Sequence, residues 1–142
     1  MMRNMKKLFL LTLIFVITIL TCSADQYVPE FNKMKVMRCE VVETVFENDK
    51  EKAVNSYHRT YRLDDEYQNI YLEKDFINGL FYYDNDKIIY NEQTMTDFSI
   101  VSSHVEIDRK EMKITISSRI EYDNPDFGVQ ESVGIGECKY LQ

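Results

Sequence analysis

Two histidines, three cysteines and 24 acidic side chains are what this sequence offers for catalysis, metal binding or redox work. His58 and His104 stand in separate segments where apolar and polar residues alternate. Each falls on the polar side, which places it in solvent rather than at an acid–base or metal centre. Cys39 and Cys138 have neither a C-x-x-C neighbour nor an adjacent histidine, so a reactive thiolate is not indicated. Acidic residues gather in Asp64-Asp65-Glu66, Asp84-Asn85-Asp86 and Asp123-Asn124-Pro125-Asp126, which raises calcium as a ligand. An EF-hand loop requires alternating oxygen ligands, a glycine at its sixth position and a glutamate at its twelfth. Asp84 and Asp86 instead run directly into Lys87-Ile88-Ile89-Tyr90. The clusters read as hairpin turns whose Asp and Asn side chains bond their own backbone.

No H-E-x-x-H, paired C-x-x-C or G-x-S-x-G pattern occurs. Gly134-Ile135-Gly136 lacks the third glycine and the following helix of a dinucleotide loop, and reads as a thinned or bulged strand. Nothing selects a pair of carboxylates for glycoside hydrolysis. The sequence therefore predicts no catalytic residue, no metal site and no cofactor. What remains is aromatic: ten tyrosines, with Phe81-Tyr82-Tyr83 contiguous. In a strand, Phe81 and Tyr83 would face inward and Tyr82 outward. Tyr82 and Tyr83, with Asp84 and Asp86 of the acidic turn, form the candidate binding surface, because tyrosine couples a large apolar face to a polar tip.

The elements that must position these residues are strands. Met37, Cys39 and Val41 alternate with Arg38 and Glu40, and Tyr57, Arg59, Tyr61 and Leu63 alternate with His58, Thr60 and Arg62. Further strands are expected over residues 67–72, 79–83, 87–91, 98–107, 111–121 and 129–140, about eight in all. The strongest carries Met112, Ile114, Ile116, Ser118 and Ile120 on one side and follows the polar turn Asp108-Arg109-Lys110. Residues 48–56 fit either a short helix capped by Asn48 or Asp49 or a polar hairpin loop. Short turns between successive strands predict an all-β fold, a small antiparallel barrel or two-layer sandwich.

At the N-terminus Arg3, Lys6 and Lys7 precede an uncharged apolar run over residues 8–20 and the small residues Thr21, Cys22, Ser23 and Ala24. This is the order of a secretory signal, too short to span a bilayer, with cleavage expected after Ala24. Leu20-Thr21-Cys22 faintly resembles a bacterial lipobox, which makes a lipid anchor at Cys22 the lesser expectation. Removal of residues 1–24 leaves a single domain, residues 25–142, with residues 25–34 as an irregular lead-in. The signal holds three of the 17 basic residues and no acidic one, so 14 basic face 24 acidic residues, a net charge of −10. Such a chain repels a phosphate backbone, which excludes nucleic-acid binding; the acidity reads first as keeping a small exported domain soluble and leaves a basic protein or peptide open as a partner. Two cysteines remain after cleavage, and export to the periplasm or medium predicts that Cys39 and Cys138 form a disulfide across a monomeric domain with no membrane span.

The series Tyr61-Arg62-Leu63-Asp64-Asp65-Glu66, Ile70-Tyr71-Leu72, Asp86-Lys87-Ile88, Ile107-Asp108-Arg109 and Gly136-Glu137-Cys138 resembles small exported bacterial proteins without assigned function. The resemblance covers about residues 57–140 and implies a β fold and no activity. General architecture is also similar to that of the membrane-bound C-type lysozyme inhibitors, though their Ser-Gly-x-x-Tyr inhibitory loop is absent. The expected function is a non-catalytic binding or structural role outside the cytoplasm. The alternatives are an inhibitor of a basic hydrolase such as lysozyme and a carrier of a small apolar ligand.

Overall fold

The computed structural model describes residues 27–142; the expected signal peptide, Cys22 and the first two residues of the lead-in lie outside them. The rest of the lead-in has no regular structure before a single 3-10 turn at Phe31–Lys33. Nine strands follow: β1 (Lys35–Glu47), β2 (Lys50–Asp64), β3 (Asn69–Leu72), β4 (Asp75–Phe76), β5 (Leu80–Tyr83), β6 (Lys87–Met95), β7 (Ser99–Asp108), β8 (Lys113–Tyr122) and β9 (Val129–Leu141). All pairings are antiparallel, and the strands form one sheet in the order β4-β3-β2-β1-β9-β8-β7-β6-β5. The sheet is strongly curled into a half-barrel, so the domain is all-β as expected. The ninth strand is β4, two residues long and without periodicity of its own.

Residues 48–56 are not helical. Asn48 and Asp49 both have positive φ (51° and 61°) and make a two-residue turn of the hairpin-compatible hand, so β1 and β2 continue as one long hairpin. The β-branched residues Thr44, Val45 and Val54 favour the pleated chain, and no apolar stripe at helical spacing offers a helix anything to bury.

The inner face carries the core. Met37, Cys39, Val41, Tyr61, Leu63, Ile70, Ile88, Tyr90, Val105, Ile107, Ile114 and Ile116 are all buried there. Each isoleucine so buried contributes roughly 1.5–3 kcal/mol relative to an exposed one. Cys39 and Cys138 lie directly opposite each other on β1 and β9 and form the expected disulfide, closing a sequence separation of 99 residues. Both glycines of Gly134-Ile135-Gly136 face inward on an unbulged β9, so the reading as a thinned strand holds and a bulge is absent. A Cβ at Gly136 would run into the Glu40 carbonyl of β1, and one at Gly134 would approach Val41 Cγ1 to 2.9 Å.

One expectation about facing and one about strand extent fail. A β-bulge between Leu80 and Tyr82 shifts the parity of β5, so Leu80 and Tyr83 pack on the core while Phe81 and Tyr82 are exposed. Met112 is not in a strand: its φ is 52°, within the turn that joins β7 to β8.

Candidate functional site

The acidic clusters do what Asp and Asn do in turns. Asp84 accepts from the backbone N–H groups of Asp86 and Lys87, Asp108 from those of Lys110 and Glu111, and Asn124 from that of Asp126. Among the described residues no group of three or more His, Cys, Asp and Glu side chains could hold a metal ion. His58 and His104 are exposed, and both His104 ring nitrogens are engaged, by Asn91 and Glu106.

The expected surface residues divide. Tyr82 is 47% exposed and donates to Asp84 at 2.6 Å, while Asp86 is exposed and paired with Lys110. Tyr83 instead turns inward and donates to Asp65 at 2.7 Å. Asp65 is the centre of a latch that no sequence pattern marks. Arg109, read as part of a polar turn, is buried with 4% of its side chain accessible. It pairs with both Asp65 oxygens, donates to the Asp84 carbonyl and the Tyr140 hydroxyl, and lies over the Tyr83 ring. Lys35 adds a second cation at 2.7 Å. Burial alone would raise the Asp65 carboxyl, but hydrogen bonds from Arg109, Lys35 and Tyr83 hold it at about 2. The latch joins β1, β5, β9 and the β7–β8 turn to the β2–β3 turn and closes one end of the half-barrel.

The opposite end is open. From the core outward, the inner face changes from apolar to polar at a single row, Glu92, Ser103, Ser118 and Ser132, which are successive cross-strand partners on β6, β7, β8 and β9. Ser103 and Ser118 share a hydrogen bond of 2.8 Å, and Ser132 donates to Glu43 of β1 at 2.8 Å. Glu92 pairs with Arg59 at 3.0 Å. Arg59 also donates to Tyr90, whose hydroxyl is bonded at 2.7 Å to that of Tyr61. Burial pushes both phenols up, so they are neutral donors and acceptors that plug the core from this side. The Tyr57 ring lies under Arg59, with its hydroxyl over Gly134, and burial together with the Glu43 charge raises that hydroxyl too.

Beyond this polar floor Val101 and Ile120 stand opposite each other in a row completed by Thr94, Gln130 and Glu47, with Val45 opposite Ser132 and Tyr122 one row further out. Val101, Ile120, Val45 and Tyr122 are only half-buried and none packs on the core cluster. The row ends in a cleft of about 660 Å³ rimmed by Phe98, Tyr122 and Phe127, with Glu47, Lys52 and Gln130 on its other wall. Glu47 is held below the usual carboxylate range, first by Lys52 and then by Gln130. Glu43 is different: it is half-buried, accepts the Ser132 hydroxyl, and among the described residues has no cation within ion-pair distance. The seam beside this end is also open. β3 covers β2 only from Tyr61 to Asp64, and β5 covers β6 only as far as Gly79 reaches Asn91.

The fold and site together define a disulfide-tied half-barrel with one latched end and one open, acidic-floored end. No protein-family model, curated protein or solved structure matches the chain. Among the described residues no helix is long and apolar enough to cross a membrane.

Sequence reasoning missed Arg109, Glu43 and the floor. Ser118 was visible as the polar member of an otherwise isoleucine face, and Ser103 stands at the same place between Val101 and Val105. Two strands losing their apolar residue at the same height would have marked the floor.

Proposed function

We propose that this chain is an exported, non-catalytic binding domain that takes a segment of a basic protein or peptide into the open end of the half-barrel. The observation that carries the reading is Glu43, a half-buried carboxylate with no cation at ion-pair distance among the described residues, set beside apolar side chains that the fold leaves half-covered. A half-buried carboxylate that takes its hydrogen bond from a neutral hydroxyl gains from an incoming ammonium or guanidinium group. The net charge, −7 for the full chain and −10 for residues 25–142, draws a basic partner to the domain from a distance. Export is supported by the N-terminal pattern and the disulfide. A basic hydrolase such as lysozyme is one partner of this kind.

The test is fluorescence anisotropy with a short synthetic peptide of alternating valine and lysine. Glu43→Gln is expected to weaken binding roughly tenfold at low salt, the scale of a partly desolvated charge pair. Equal affinity of wild type and Glu43→Gln refutes the reading. Undiminished lysozyme turnover in excess domain removes the inhibitor case alone.

A second reading, carriage of a small apolar ligand, is favoured by the cleft between Phe98, Tyr122 and Phe127. It predicts a co-purifying lipid in native mass spectrometry, and an empty protein counts against it.

A further inference from the structure

The open seam has an edge of its own. A strand's backbone groups alternate between its two sides, and the Thr60 carbonyl points away from β1, since it accepts from Glu73 next to β3. By the same alternation Val54, Ser56 and His58 turn their N–H and C=O groups away from β1, where no strand among the described residues pairs with β2. Across the seam, Asn91 donates to Gly79 on the far side of β6 from β7, so Gln93 and Met95 present their backbone groups to the same gap. Natural edges are usually blunted by charge, proline or a bulge. Here a charge-free stretch, Ala53-Val54-Asn55-Ser56-Tyr57-His58, lies between Lys52 and Arg59, and the register shift near Val45 falls before it.

We propose that a basic, extended segment of a partner binds by adding a strand to β2 at Val54, Ser56 and His58, with its cationic side chains turned inward. The proposal rests on the reading of the open end as the binding site and specifies how the segment is held. Charge decides the facing: the inward position of an added strand beside Asn55 looks across β2 to Glu43, whereas Glu92 is already paired with Arg59. Outward positions continue a row of Val54, Thr44 and Val133, in which the two valines are exposed. An alternating cationic and β-branched segment satisfies both faces at once, while its main chain takes up the edge. A second copy of this chain fits less well, because it brings another acidic interior and a net charge of the same sign.

The experiment combines binding of the alternating valine–lysine peptide with amide hydrogen exchange of the disulfide-bonded protein. On saturation the amides of Val54, Ser56 and His58 are expected to slow by roughly tenfold or more, the scale of a newly made backbone hydrogen bond. Ser56→Pro removes one outward N–H and no bond to β1, so it should leave the fold intact and weaken the peptide by about fivefold to tenfold. Asn55→Pro, which interrupts pairing with β1, is the contrasting variant and should lower stability. A peptide that binds in a Glu43-dependent way, with those amides unchanged and Ser56→Pro as wild type, overturns strand addition and leaves the binding site standing. No peptide binding overturns both. Protection of the same amides on raising protein concentration alone overturns the choice of partner in favour of a second copy.

Discussion

Arg109→Met should cost the protein about 3 kcal/mol, the low end of the range for removing one partner of a buried ion pair. The figure follows from what each partner keeps. Asp65 loses two hydrogen bonds but retains Lys35 and Tyr83, and its side chain is 27% accessible, so its remaining charge is not stranded. The Asp84 carbonyl and Tyr140 hydroxyl lose a donor, and Tyr140 lies at the surface. Asp65→Asn leaves the guanidinium buried with only those two acceptors and should cost a similar amount. The double variant should cost about 4 rather than 6 kcal/mol, a coupling of about 2 kcal/mol. Urea denaturation of the oxidised protein at pH 7 measures all four corners of the cycle, and about 12 °C of melting temperature is the equivalent for each single variant. Acid provides the second axis. The Asp65 carboxyl is depressed from 3.8 to about 2 in the fold, so its contribution is complete above pH 3.8 and is lost as pH falls through 2. That shift corresponds to at most about 2.4 kcal/mol, and to about 1–2 once its partial exposure is allowed for. Asp65→Asn should lack this loss. Additive single effects, or a cost under about 1 kcal/mol for Arg109→Met, would refute the latch.

Reduction of the disulfide, or its replacement by two alanines, should lower stability by about 3–5 kcal/mol in a denaturant titration, as a closed loop near a hundred residues predicts. Gly136→Ala should be more damaging than Gly134→Ala by thermal melting. The first sets a Cβ against the Glu40 backbone, whereas the second meets the Val41 side chain, which can shift at about 1–3 kcal/mol. Tyr83→Phe should cost about 1 kcal/mol through its lost bond to Asp65, whereas Tyr82→Phe, on an exposed hydroxyl, should be near neutral in the same assay.

Alternation made most strands legible: Tyr57, Arg59, Tyr61 and Leu63 were placed on one face by sequence, and they line the inner face of β2. The cysteine pair was legible because Cys39 and Cys138 stood on the first and last expected strands, with Cys22 assigned to the expected signal peptide. Arg109 was not, because Asp-Arg-Lys at a turn has the same composition whether the arginine is solvated or drawn inward by a carboxylate more than forty residues away in sequence. The facing of Phe81 was misread because a bulge inserts one residue and inverts parity, with no local mark beyond the contiguous aromatics. The open end was illegible for a related reason. Which strands remain unpaired depends on how far β3 and β5 reach along their neighbours, and that is fixed by turns at Gln68, Glu73 and Gly79 rather than by β2 or β6 themselves.

The most direct measurement of where this protein binds is nitrogen-15 chemical-shift mapping of the disulfide-bonded protein titrated with the alternating valine–lysine peptide. Shifts are expected at Glu43, Val101, Ser118, Ile120 and Ser132, the floor and walls of the open end, and with strand addition also at Val54, Ser56 and His58, with Tyr82, Asp84 and Asp86 unmoved. Shifts confined to Tyr82, Asp84 and Asp86, or none at all, would contradict the open end as the binding site.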